Sequence, residues 1–231
     1  MSVAKHNPRH VAVILDGNRR FAKKLMLEPW KGHEFGQKKV EELLEWCKDL
    51  GITELTLYIF SMQNFNRPKE EFNYLMELFK KSFEKFSDDK RIKENGIKIN
   101  FLGRYELFPA DLVKILKDIT EKTKNNNRFI LNFAMAYGGR EEIIDAVKSI
   151  INKNFKKEDI TEDVISQNLY SRSEPDMIIR TGGEKRTSNF LPWQAAYSEW
   201  FFIDKTWPEF TKEDFIQLLN NYKQRERRFG K

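Results

Sequence analysis

A short apolar run, a polar loop carrying arginine, then a helical period: this order recurs along the chain and restricts its fold more than any other feature. Val11 to Leu15 is the first such run, and it leads straight into Asp16-Gly17-Asn18-Arg19-Arg20. Thr53 to Phe60 precedes the polar segment Ser61 to Pro68, and Phe129 to Met135 precedes Tyr137-Gly138-Gly139-Arg140. Met177 to Ile179 is left through Arg180 to Asn189, while Ile97 to Leu102 and Ala195 to Asp204 supply further strand segments. Continuous apolar runs of this length suit strands buried on both faces, joined by helical crossovers. The chain is therefore predicted to be α/β, a single domain with a mostly parallel central sheet flanked by helices. The polar loops follow strand carboxyl ends, which is where open α/β sheets place ligands. They should converge on one rim.

Between the strands, Arg20 to Leu27 reads as a short helix broken by Glu28-Pro29-Trp30-Lys31-Gly32. A second helix carries Phe35, Val40, Leu43, Leu44 and Trp46 and ends at Gly51. A third starts near Lys69, with Phe72, Leu75, Met76, Phe79, Phe83 and Phe86 recurring at steps of three and four, a core-facing stripe. Leu107 to Lys124, with Pro109 placed in its first turn, and Glu141 to Ile151 follow; Thr161 caps a short helix reaching Leu169. The last helix runs from Phe210 into a basic tail at 225–231. No repeat or low-complexity linker marks a seam, so residues 1–231 read as one domain.

Composition excludes more than it assigns. Lys and Arg number 41 against 35 Asp and Glu, a net charge of +6 spread through the helices, which describes a weakly anion-seeking chain. No module signature or concentrated basic stripe before the tail argues for RNA or DNA, so no nucleic-acid partner is expected. Cys47 is the only cysteine, which rules out a disulfide framework and a cysteine zinc cluster. Neither a signal-peptide-like run nor a stretch approaching the roughly 20 apolar residues of a membrane span is present. A soluble cytoplasmic chain is expected, with a peripheral membrane contact left open. The sequence also lacks GxxxxGK[ST], a strand-linked GxGxxG and a hydrolase nucleophile elbow.

What recurs is arginine beside glycine or a small polar side chain: Arg19, Arg20, Arg67, Arg140, and Arg180 with Arg186 and Ser188. Guanidinium forks and loop N–H groups suit phosphate oxygens. Asp16 and Glu199 are the acids positioned to hold Mg2+, which needs only one or two carboxylates beside phosphate oxygens. That combination fits loss of a diphosphate leaving group. For any one of these residues, a surface salt bridge accounts for it equally well.

Taken together, Asp16-Gly17-Asn18-Arg19-Arg20, His33, Phe60-Ser61 with Asn64, Asn66-Arg67-Pro68 and Glu71, Tyr137-Gly138-Gly139-Arg140, and Arg180 to Phe190 resemble the cis-prenyltransferases, the undecaprenyl diphosphate synthase family. The likeness runs from about His10 to Gly230, with its blocks in the family's order. It implies a homodimeric, Mg2+-dependent enzyme that joins isopentenyl diphosphate to an allylic prenyl diphosphate, making a cis double bond and releasing diphosphate. By the same resemblance, Asp16 and Glu199 are the Mg2+-associated acids, and Gly17, Asn18, Arg19 and Arg20 form the allylic diphosphate loop, with His33 assisting. Phe60, Ser61, Asn64, Arg67 and Glu71 match the segment joining the two substrates. Arg180, Arg186 and Ser188 match the isopentenyl diphosphate anchor. Arg228 and Gly230 belong to a terminal segment that completes the neighbouring subunit's site.

The family's product tunnel would be lined by Ile59, Phe72, Leu75, Met76, Phe79, Phe83, Phe101 and Phe133, whose bulk favours a short- to medium-chain product. Ala136 stands where the family commonly has asparagine, and Pro29 where it usually has an arginine. Three other readings stay open: irregular condensation of two allylic diphosphates, a noncatalytic partner subunit of the same family, and an RNA-binding protein.

Overall fold

The computed structural model describes residues 7–225. Strands β1 (His10–Ile14), β2 (Glu54–Ser61), β3 (Ile97–Leu102), β4 (Phe129–Tyr137), β5 (Met177–Arg180) and β6 (Glu199–Phe202) form one sheet in the order β3-β4-β2-β1-β5-β6. Each neighbouring pair is parallel. Helices α1 (Asn18–Lys24), α2 (Gly32–Asp49), α3 (Lys69–Ser87), α4 (Lys90–Glu94), α5 (Ala110–Thr123), α6 (Gly139–Asn152), α7 (Glu162–Asn168) and α8 (Lys212–Gln224) make up the connections.

Strand alternation explains why both faces of the sheet are buried. Val11, Val13, Leu55, Leu57, Leu131, Phe133, Met177 and Ile179 join one large core with Leu43, Leu75, Leu112 and Phe215 from α2, α3, α5 and α8. Ala12, Ile14, Tyr58, Ala134 and Ile178 point to a smaller core on the other face, filled by Tyr137, Phe190 and Leu191. Burial on both faces is what a run such as Val-Ala-Val-Ile requires.

Chain order places the site. From β1 the chain adds β2 on one side of it and later returns to add β5 on the other. The crevice at the carboxyl ends of β1 and β5 is therefore the topological switch point, the usual ligand position in open α/β sheets.

Several local expectations are corrected by capping. The first helix stops at Lys24, two turn hydrogen bonds closing it at Met26 and Leu27. Pro109 precedes α5 as its cap, with Leu107 in a separate 3-10 turn. The segment after Ser87 forms a helix of its own, α4, because the Asp89 side chain accepts from Arg91 N–H. The last strand is only Glu199–Phe202. Among the described residues no helix is long and apolar enough to cross a membrane. Arg228 and Gly230 lie outside the described residues.

Candidate active site

Asp16 lies two residues past the end of β1, at the switch point. Its Oδ2 accepts from Arg180 Nη2 at 2.9 Å and its Oδ1 from Arg20 Nη2 at 3.1 Å. Arg180 is the last residue of β5, only 3% exposed, and its Nη1 also donates to Ser188 Oγ at 2.7 Å and to the Arg186 carbonyl. Its buried Nε has no partner. The loop is fixed by backbone contacts from distant segments: Asp16 O accepts from Trp207 N–H at 2.9 Å and from Thr181 Oγ1 at 2.7 Å. Gly17 adopts φ +105°, and a Cβ there would lie 2.8 Å from Thr206 Cα, so only glycine permits this turn.

A second constellation faces the first from β2, α1, α2 and α3. Ser61 and Asn64 share a capping box at the end of β2, with Ser61 N–H donating to Asn64 Oδ1 at 2.9 Å. Arg67 Nη1 donates to Glu71 Oε1 at 2.9 Å and lies 3.4 Å from His33 Nε2; Arg19 sits 3.7 Å from the buried Glu71 carboxylate. Burial foremost, with the Arg67 and Arg19 charges adding to it, holds His33 down to about 3. The ring is therefore neutral at ordinary pH, within hydrogen-bonding distance of Arg67. Asn18 donates through Nδ2 to Leu15 O at 3.1 Å, and its buried Oδ1 is unpartnered. A Cβ on Gly36 would come within 2.4 Å of that Oδ1.

Two adjoining cavities meet here. One, of about 460 Å3, is lined by Arg19, Arg20, Lys23, Arg67 and Arg186 with Asp16 and Glu184, an excess of cations suited to phosphate. The other, of about 610 Å3, runs from Asp16, Arg180 and Ser188 past Ile59, Phe60 and Phe79 to Phe83, Phe86 and Phe133. Leu15, Asp16, Asn18, His33 and Arg67 line both. A polar, cationic chamber thus opens into an apolar one.

Not every expected residue arrives. Ile59, Phe79, Phe83 and Phe133 line the larger cavity, but Phe72, Leu75, Met76 and Phe101 do not. Phe72 packs on Phe60 and Phe65, while Leu75, Met76 and Phe101 belong to the buried core. Glu199 begins β6 beside Met177, the amino end of β5, so parallel pairing puts it at the edge of the sheet opposite Asp16. There it is paired with Arg225, whose guanidinium also stacks 4.2 Å from the Phe201 ring. Asp16 and Glu199 are not joined within one chain. Trp207 and Gly36 belong to the site although no local motif announces them.

Mg2+ fits this site only in company. Among the described residues no three His, Cys, Asp or Glu side chains converge as a metal cluster. Asp16 offers one partly exposed carboxylate beside a cationic chamber, which suits a Mg2+ ion completed by diphosphate oxygens and water.

At the switch point of this open parallel sheet, a cationic chamber joined to an apolar one suits a ligand with an anionic head and an apolar tail. The family model described as "Putative undecaprenyl diphosphate synthase" matches residues 14–230, and the chain belongs to that family, the cis-prenyltransferases. It is 49% identical over 230 residues to tritrans,polycis-undecaprenyl-diphosphate synthase (geranylgeranyl-diphosphate specific) of Pyrococcus furiosus, covering 97% of this chain and 87% of that one. Isoprenyl transferase of Thermus thermophilus is 46% identical over 97% of this chain and 89% of its own. In structure, lavandulyl diphosphate synthase from Lavandula x intermedia, solved with dimethylallyl diphosphate, superposes with a TM-score of 0.92 at 30% identity, over 97% of this chain and 99% of that one. The protein is a prenyltransferase of isoprenoid biosynthesis.

Proposed function

We propose that this chain condenses isopentenyl diphosphate with an allylic prenyl diphosphate in a Mg2+-dependent reaction, giving a cis-polyprenyl diphosphate and free diphosphate. The observation that carries the reading is the sharing of Asp16, Asn18, His33 and Arg67 between the cationic and the apolar cavity. A diphosphate head held in the first would leave its hydrocarbon chain in the second. The allylic C–O bond breaks with its electron pair going to the diphosphate. The double bond of isopentenyl diphosphate supplies the pair for the new C–C bond, and a proton leaves to restore unsaturation.

Each residue set has a task in that step. Arg19, Arg20 and the loop of Asp16, Gly17 and Asn18 hold the departing diphosphate, whose charge grows as the bond breaks. Asp16 would hold Mg2+, which would supply further charge stabilisation to the departing diphosphate. Arg180, Arg186 and Ser188 seat isopentenyl diphosphate, and Arg67, placed by Glu71, bridges between the two heads. Neutral His33 donates or accepts one hydrogen bond without adding charge. The name of the Pyrococcus furiosus relative supports geranylgeranyl diphosphate as the starter to try first.

A homodimer completes this reading. Ile144, Val147 and Ile151 form an exposed apolar stripe on α6 at helical spacing, and Glu199 lies on the edge strand β6. A second copy would cover that stripe. We place the enzyme in the cytoplasm.

The test is incubation with isopentenyl diphosphate and geranylgeranyl, farnesyl or dimethylallyl diphosphate, with Mg2+ or with a chelator, followed by mass analysis. Products differing by single isoprene units, formed only with Mg2+, are expected. Joining of two allylic diphosphates without isopentenyl diphosphate, or no product from folded protein, would overturn the proposal.

A further inference from the structure

The end of α1 breaks a local rule without any gain to the core. Leu27 N–H donates to Ala22 O at 3.0 Å and Met26 N–H to Lys23 O at 3.1 Å, the paired bonds of a Schellman turn. That turn needs a left-handed residue between them, a place usually given to glycine. Here it is Met26, at φ +56°. Its side chain is 96% exposed, and its neighbours Leu25 and Leu27 are 47% and 36% exposed. Three consecutive large apolar side chains thus face water, one of them in a backbone conformation that resists carrying a side chain. A burial partner outside the described chain would account for both features at once.

Charge and position identify the partner. Exposed Lys23 and Lys31 flank the turn, against a single nearby acid in the loop, Glu28; Lys24 is shared with Glu209 at 2.8 Å. Lys23 also lines the cationic chamber, so the turn stands one helix length, roughly 10 Å, from the Asp16 loop. Exposed apolar side chains flanked by exposed lysines match the layered chemistry of a bilayer surface, with acyl chains below and anionic headgroups above. We propose that Leu25-Met26-Leu27 inserts into anionic membrane and holds the mouth of the active site against it. The proposal rests in part on the prenyl-transfer reading, whose product carries a hydrocarbon chain that water does not accept. Vesicle binding is measured without substrate, so the two readings fail separately.

The experiment is co-sedimentation of the whole protein with phosphatidylcholine vesicles, with and without phosphatidylglycerol. Wild type should bind the anionic vesicles, and added salt should weaken that binding. Met26→Gly keeps the turn geometry while deleting the inserted side chain, and should lower binding roughly tenfold. Lys23→Gln paired with Lys31→Gln should abolish the preference for phosphatidylglycerol. Condensation of a short, water-soluble starter without lipid should be unchanged in Met26→Gly, showing that the variant is folded. Equal binding by wild type and Met26→Gly would overturn the proposal, as would absence of binding to either vesicle. A change of oligomeric state in Met26→Gly without vesicle binding would make the turn a protein contact and likewise defeat it.

Discussion

Arg180 and Asp16 face each other at 2.9 Å, the arginine sealed in the sheet and the carboxylate partly open to solvent. That asymmetry separates their effects. Asp16→Asn is expected to lower kcat by about two to three orders of magnitude, the size of losing one electrostatic stabiliser. Its stability cost should reach about 3 kcal/mol, because buried Arg180 loses its counter-ion and keeps only an amide oxygen; a melting curve and a saturating turnover assay read the two. His33 gives a pH prediction of definite sign. Its folded-state value of about 3 lies below the unfolded value of 6.5, so the unfolded chain takes up the proton first as pH falls. The stabilisation is complete above about pH 6.5 and is lost progressively toward pH 3. Wild type should therefore lose more denaturant resistance between pH 7 and 4.5 than His33→Gln; equal losses would contradict the assignment. The arginines, Asp16 and Ser188 were legible in the sequence because their types recur after strands. Trp207 was not, since it holds Asp16 through its backbone carbonyl from a segment far away in the chain.

Helix α3 shows where periodicity stops being informative. Its steps of three and four mark a buried face, but one face serves two purposes. Leu75 and Met76 turn into the core, while Phe79, Phe83 and Phe86, with Leu78 and Ser82, line the cavity shared with Val40 and Gln37 of α2. The sequence alone does not say which side of the stripe meets empty space, because that depends on how α2 and α3 pack. Phe83 lines the cavity, its ring centroid 5.2 Å from those of both Phe101 and Phe133. Phe83→Ala should lengthen the distribution of products seen by mass spectrometry, at a stability cost of about 3–5 kcal/mol. An unchanged distribution from folded variant would remove Phe83 as the stop and direct attention to Phe133. Strand β6 makes the complementary point: Glu199 was recognisable as a carboxylate in an apolar setting, yet only the parallel register reveals which end of the sheet it occupies.

At the scale of the molecule, strand order does what no residue pattern could state in advance: it sets β1 and β5 side by side and makes their carboxyl ends one site. The exposed stripe of α6 belongs to this scale too. The proposed dimer puts that stripe in its seam, so Ile151→Asp should shift sedimentation toward the monomer and reduce turnover, with the fold retained in circular dichroism; a dimer undisturbed by the substitution would exclude that face. In the proposed reaction two diphosphates bind side by side, one on the Asp16 loop and the other on the Arg180 side. The most direct measurement is steady-state kinetics in which each substrate is varied separately, for Arg20→Ala and Arg186→Ala. Arg20→Ala should raise KM for the allylic diphosphate or lower kcat, leaving KM for isopentenyl diphosphate near its wild-type value; Arg186→Ala should raise KM for isopentenyl diphosphate with little change for the allylic substrate. Parallel changes for both substrates in both variants would contradict two separate seats.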